Sequence, residues 1–180
     1  NECHRQMQNL RQRYGEDYEQ PTAVPMLTDG YNLPAKKVIH IVGPIVSGKL
    51  TPELENALAD CYTNSLTMCM ENGLRSVAFC CISTGVFHFP QERAAQIAFS
   101  SVKQWLAAHG GVIDRVIFNV FTDEDRDIYE KIFGSQADDY TWTLQKGAAF
   151  VRNLTGGFTD DTGSGKKTSA DLGMSSKLPM

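Results

Sequence analysis

Apolar residues near the start of the chain recur at steps of three and four (Cys3, Met7, Leu10, Tyr14), the period of a helix with one apolar stripe. No capping residue precedes that stripe, so the helix is already under way at Asn1. Ala23 to Thr28 then reads as a short extended run ahead of the turn pair Asp29-Gly30, and Lys37 to Val42, after Pro34, as a second run that pairs with it. Thr51 is a helix N-cap with Pro52 at the first helical position and Glu53 and Glu55 in the first turn. Its apolar positions Leu54, Leu58, Cys61, Leu66 and Cys69 carry the helix to a stop at Asn72-Gly73. Ser76 to Ile82 (SVAFCCI) is apolar almost throughout, the pattern of a strand covered on both faces. Pro90 to His109 is a helix with Ile97, Ala98, Val102, Trp105 and Leu106 on one side, Arg115 to Phe121 is the next strand, and Thr122-Asp123-Glu124-Asp125 opens a last helix through Ile128, Tyr129, Ile132 and Phe133.

Strand and helix thus alternate between residues 37 and 133, which predicts right-handed crossovers in a mostly parallel, mixed sheet with helices on both faces, a three-layer α/β/α fold. Ligands of such sheets bind at the carboxyl ends of the strands. Beyond about Ser135 the periodicity fades. Residues 136 to 180 read as a tail or linker, and the stretch from 155 onward, rich in Gly, Ser, Thr and Asp, as a mobile segment.

A length of 180 residues suits one domain, here residues 1 to 135 plus that tail. The formal charge of −4, with Lys and Arg scattered singly, argues against a nucleic-acid partner. Five cysteines, an odd number, several in apolar settings, point to a reducing, cytoplasmic compartment. No apolar run is long enough to span a membrane, and residues 1 to 20 are too polar for a signal peptide.

Two loops compete as phosphate cradles. In GPIVSGKL (residues 43 to 50), Gly43, Gly48 and Lys49 have the spacing of a P-loop, but Leu50 stands where the metal-binding hydroxyl belongs and Pro44 removes a backbone donor. A surface connection with a solvated lysine is the better reading. The second loop, Ser83-Thr84-Gly85-Val86-Phe87-His88-Phe89-Pro90, leads from a strand end into a helix N-terminus, where successive N–H groups and about half a positive charge favour a diphosphate.

The stretches GYNLPAKKVIHIVGP (30 to 44), CCISTGVFHFP (80 to 90) and NVFTDEDRDIYEKIF (119 to 133) together resemble the second half of a macrodomain, the ADP-ribose-binding fold, over residues 1 to about 135. NECHRQM and CCISTGVFHFP are most similar to microbial zinc-containing macrodomains, which remove mono-ADP-ribose from proteins and are often encoded beside a lipoyl-carrier protein. The resemblance implies that Ser83, Thr84, Gly85, Val86 and Phe87 hold the diphosphate and distal ribose, and that Asn119 and Phe121 border the adenosine, although Phe121 could equally pack in the core. For His88, loop packing or a substrate contact is favoured over work as a general base. The family's opening strands, first glycine-rich loop and zinc ligands have no counterpart here, which implies an N-terminally truncated sequence, with zinc bound by the full-length family but not by this chain. The remaining cysteines are badly spaced for one ion: Cys80 and Cys81 point to opposite faces, and Cys61 and Cys69 lie about 12 Å apart along a helix. No catalytic residue is assigned. The parent protein then reads as a hydrolase of ADP-ribosylated protein, or alternatively as a module that binds ADP-ribose without turnover.

Overall fold

The computed structural model describes residues 2–135, 142–145 and 148–151. The first helix, α1 (Glu2–Tyr14), leads to a hairpin of β1 (Met26–Asp29) and β2 (Lys37–His40), paired antiparallel with Met26 opposite His40. Inside the hairpin the Thr28 hydroxyl and His40 Nε2 lie 2.9 Å apart, so this histidine is engaged within the sheet. Helix α2 (Pro52–Glu71) follows, and the Thr51 side chain accepts from the Leu54 N–H as its cap. The hydroxyl one residue beyond the P-loop position is therefore engaged as the cap at a helix start.

Strand β3 (Ser76–Cys80), helix α3 (Gln91–Ala108), strand β4 (Arg115–Asn119) and helix α4 (Asp123–Gly134) complete the alternation. β3 and β4 pair in parallel, Ser76 opposite Arg115 through Cys80 opposite Asn119. Beyond residue 135, where the sequence periodicity fades, two further strands appear, β5 (Trp142–Gln145) and β6 (Ala148–Val151). They form a hairpin that pairs antiparallel with β4, giving the sheet order β3-β4-β6-β5. Strand structure thus extends past the boundary read at 135, and the segment from 155 onward lies outside the described residues.

Two features of the predicted architecture differ. Parallel pairing among the described strands is limited to the β3–β4 ladder and one bridge between Thr22 and Val42, so the sheet is mixed without being mostly parallel. Among the described residues α2, α3 and α4 pack against one another, with α2 on β3 and α4 on β6, and one face of β3–β4 is buried, whereas α1 lies against β1. The alternation along the strands shows this directly. Phe79, Val116 and Phe118 are buried, while Ser76, Ala78, Cys80 and Asn119 face solvent. An apolar strand therefore reads as doubly covered from its composition although only one of its faces is packed.

The core is built on that covered face. Tyr62 of α2 packs edge-on to Phe79 with ring centroids 5.0 Å apart, and Phe118 meets Tyr129 of α4 at 5.1 Å. Each such ring contributes roughly 1.5–3 kcal/mol by leaving water. α2 and α3 are further joined by a two-pronged ion pair, Arg93 Nε to Glu55 Oε1 at 2.6 Å and the second guanidinium nitrogen to Oε2 at 2.7 Å. This pair is exposed, so its geometry orients the helix starts more than it stabilises them.

Gly43, Pro44 and Val46 of the 43–50 connection are buried, Ile45 is exposed, and Gly43 lies directly against the turn after β3. A Cβ on Gly43 would stand 2.2 Å from Ser83 Oγ and 2.6 Å from the Ile82 side chain, itself 6% exposed. Gly43 serves close packing of two loops, which corrects the reading of this stretch as a plain surface connection; Ser47, Gly48 and Lys49 are exposed as read. Gly43→Ala should lower stability by about 1–3 kcal/mol through overpacking. Urea unfolding checks this: the midpoint should fall with an unchanged slope, and a variant within about 0.5 kcal/mol of the parent would show that the two loops do not touch.

Candidate functional site

The parallel register of β3 with β4 sets two loops side by side at the carboxyl ends of the strands, residues 81–90 and residues 120–122. In the first loop, Phe89 is 2% exposed and anchors its far end in the core. Two internal bonds close the turn, His88 N–H to the Gly85 carbonyl at 3.0 Å and Phe89 N–H to the Ser83 carbonyl at 3.0 Å. A third ties it to its neighbour, Val46 N–H donating to the Phe87 carbonyl at 2.9 Å. The segment 43–46 is thus a wall of the site that sequence reasoning missed. A glycine-proline pair directly after a strand was the available signal.

Ser83 and His88 adopt left-handed backbone (φ +65° and +56°), whereas Gly85 does not. Two residues with side chains thus hold the left-handed backbone that a glycine adopts freely, at a cost of order 1–3 kcal/mol each. The result of that strain is a turn whose Gly85, Val86 and Phe87 N–H groups have no hydrogen-bond partner among the described residues. Gly85 and Val86 are exposed, Val86 at 84%, and a Cβ on Gly85 would meet nothing within 4 Å. Ser83 is half-buried, and its hydroxyl oxygen, sealed against Gly43, has no partner either. Thr84 is half-buried and donates to the Cys81 carbonyl at 3.1 Å. His88 is exposed at the outer end of the turn.

Immediately after this turn, α3 begins at Gln91 with Pro90 as an N-cap that supplies no side-chain acceptor. Its first-turn N–H groups therefore keep their positive end of the dipole. With no lysine or arginine in residues 81–90, the loop's attraction for an anion comes from the main chain.

On the neighbouring strand, Asn119 is exposed as the last residue of β4, and Phe121 follows two residues later in the loop, 95% exposed. Core packing is thereby excluded for Phe121. A phenylalanine held in water forgoes roughly 1.5–3 kcal/mol of burial, and its exposed face is available to a planar apolar group.

Beneath the loops, burial pushes the Cys81 thiol up to about 12, with the negative charge of Asp125 adding to the effect and a hydrogen bond from the Phe121 main chain opposing it. Burial also pushes Cys61 and Cys69 up to about 11 and raises the Tyr62 and Tyr129 phenols. Cys80, by contrast, is exposed on β3. Among the described residues no three His, Cys, Asp or Glu side chains gather closely enough to hold a metal ion. A cavity of about 680 Å³ lies elsewhere, between α1 and the β1–β2 hairpin, bordered by Glu2, Arg5, Asp29, Tyr31 and His40.

A family model described as Macro domain matches residues 1–98. The chain belongs to the macro domain family. It is 45% identical over 117 residues to a protein-ADP-ribose hydrolase of Treponema medium, a match covering 65% of this chain and 44% of that protein. It is 51% identical over 105 residues to the ADP-ribose glycohydrolase MACROD2 of Homo sapiens, covering 58% of this chain and 25% of that one. The chain spans less than half the length of the curated relatives it matches. Among solved structures, the Oceanobacillus iheyensis macrodomain with ADP superposes with a TM-score of 0.65 at 34% identity, over 74% of this chain and 69% of that one. The Trypanosoma brucei macrodomain in complex with ADP-ribose does so with 0.59 at 36%, over 70% and 52%. The macro domain fold of this chain is an α/β fold, in keeping with the alternation read from its sequence.

Thiol reactivity tests the burial pattern of the macro domain. At pH 8, well below the raised value at Cys81, that thiol stays protonated, so iodoacetamide should modify Cys80 while leaving Cys81, Cys61 and Cys69 largely untouched. Peptide mapping by mass spectrometry reads this, and equal labelling of Cys80 and Cys81 would contradict it.

Proposed function

We propose that this macro domain holds ADP-ribose with the diphosphate on the Ser83–His88 turn, and that the protein hydrolyses mono-ADP-ribose from modified proteins. The observation carrying the first half is the set of N–H groups at Gly85, Val86 and Phe87, without a hydrogen-bond partner among the described residues, beside a helix N-terminus. Each amide N–H that donates to an anion contributes about 1.5–3 kcal/mol, more than a neutral hydrogen bond. Phe121 and Asn119 then border the adenosine, Phe121 by stacking on its base, and Ser83 and Thr84 flank the distal ribose. His88 stands at the rim, where a modified side chain would enter.

Hydrolysis breaks the bond between the anomeric carbon of the distal ribose and the protein oxygen. Water supplies the new oxygen at that carbon and a proton to the released side chain. The turn supports this step by fixing the diphosphate, so that the distal ribose is held in one place. The names of the relatives, protein-ADP-ribose hydrolase and ADP-ribose glycohydrolase, support the same reading. On the sequence resemblance alone, a lipoyl-carrier protein is one candidate bearer of the modification, zinc a candidate cofactor of the full-length family, and the cytoplasm the place of reaction.

One observation favours a binding module without turnover for the residues described. Asp125, the carboxylate buried beneath the loops, has both oxygens engaged by hydrogen bonds and is not aimed outward at a water. Titration calorimetry decides the shared part. ADP-ribose should bind, Phe121→Ala should weaken it about three- to tenfold, and Gly85→Glu, whose side chain projects into open space, should abolish it with little change in stability. Binding unaltered by Gly85→Glu would place the ligand elsewhere.

A further inference from the structure

Gln91 and Asp125 join the two loops from below. Gln91, the first residue of α3, donates from Nε2 to Asp125 Oδ1 at 3.1 Å. Asp125 is 5% exposed, and its other oxygen accepts from the Thr122 hydroxyl at 2.7 Å and from the Thr122 N–H at 3.3 Å, while the Asp125 N–H returns a bond to the Thr122 hydroxyl at 3.1 Å. The reciprocal pair caps α4 and fixes the residue that directly follows Phe121. The side chain from α3 is not needed for that cap. Its bond spans 34 residues of sequence and connects the helix that continues the 83–90 turn to the helix that continues the Phe121 loop.

The surroundings make this a rigid link. Gln91 and Asp125 share a closely packed cleft with Tyr62, Cys81, Thr84 and Tyr129, too tight for a water to replace the bond. Thr84 is itself a member of the turn, and its hydroxyl donates to the Cys81 carbonyl at 3.1 Å. Both loops therefore rest on one small polar cluster.

We propose that the Gln91–Asp125 hydrogen bond is a strut that sets the distance and angle between the Gly85 turn and Phe121, making Gln91 and Asp125 positioning residues for a ligand that must touch both. This rests on the ADP-ribose reading, since a ligand confined to one loop would not sense the strut.

Gln91→Met keeps the side-chain length and removes the bond, leaving the Thr122–Asp125 cap intact; Gln91→Ala is the second variant. Two readouts apply to the whole chain. In the absence of ligand, amide hydrogen exchange at Phe89 and at Asp125 should both speed up by about tenfold in Gln91→Met, with Val116 and Phe118 in β4 unchanged. Calorimetry should then show ADP-ribose weakened about tenfold, whereas inorganic pyrophosphate, which reaches only the turn, changes less than twofold. Thr122→Ala, which removes the hydroxyl side of the cap but leaves the strut, should alter exchange at Asp125 without altering it at Phe89. Exchange unchanged at either end in Gln91→Met, or equal losses for ADP-ribose and pyrophosphate, would overturn the proposal. If the parent chain binds neither ligand, the ADP-ribose reading fails, and the exchange result alone decides whether the strut exists.

Discussion

The parallel ladder between β3 and β4 is the constraint on which the rest of the structure depends. Because Cys80 stands opposite Asn119, the chain leaves both strands at the same edge and in the same direction, and the two following loops emerge as neighbours. A shift of one residue in that register would exchange the faces of every side chain, exposing Phe79 and Phe118 and turning Ala78 and Cys80 inward. The aromatic contacts of Tyr62, Phe79, Phe118 and Tyr129 hold the register on the covered face. The geometry of the site is thus a consequence of core packing two strands below it.

Above that ladder, the 83–90 turn combines strain with restraint. Two left-handed residues carry an unfavourable backbone, and four features hold them there: the buried Phe89, two internal hydrogen bonds and the bond from Val46. A segment with this cost would relax if the surrounding structure did not over-determine it. What the strain leaves behind is three N–H groups without a partner among the described residues, in a chain of net negative charge. Main-chain donors and a helix end, in place of lysine or arginine, favour a ligand chosen by shape as well as charge.

Much of this was legible in the sequence, for identifiable reasons. Thr51-Pro52 and Thr122 through Asp125 are local signals that act within one turn of helix, and both caps formed as read. The glycine-bearing loop before α3 stood out because it leads from a strand end into a helix N-terminus, where successive N–H groups gather. What stayed hidden were interactions between distant segments. Gly43 touches Ser83, and Gln91 reaches Asp125, through contacts that no period or motif encodes. Composition misled at β3, because an apolar strand looks the same whether one face or both are packed. It misled also beyond residue 135, where β5 and β6 are too short to raise a periodic signal.

The most direct test of the central claim is amide chemical-shift mapping of the isotopically labelled chain during titration with ADP-ribose. The account predicts that the N–H resonances of Gly85, Val86 and Phe87 move downfield as they donate to phosphate oxygens, with the Phe121 ring shifting alongside. Shifts gathered instead around Arg5, Tyr31 and His40, at the cavity between α1 and the β1–β2 hairpin, would contradict it.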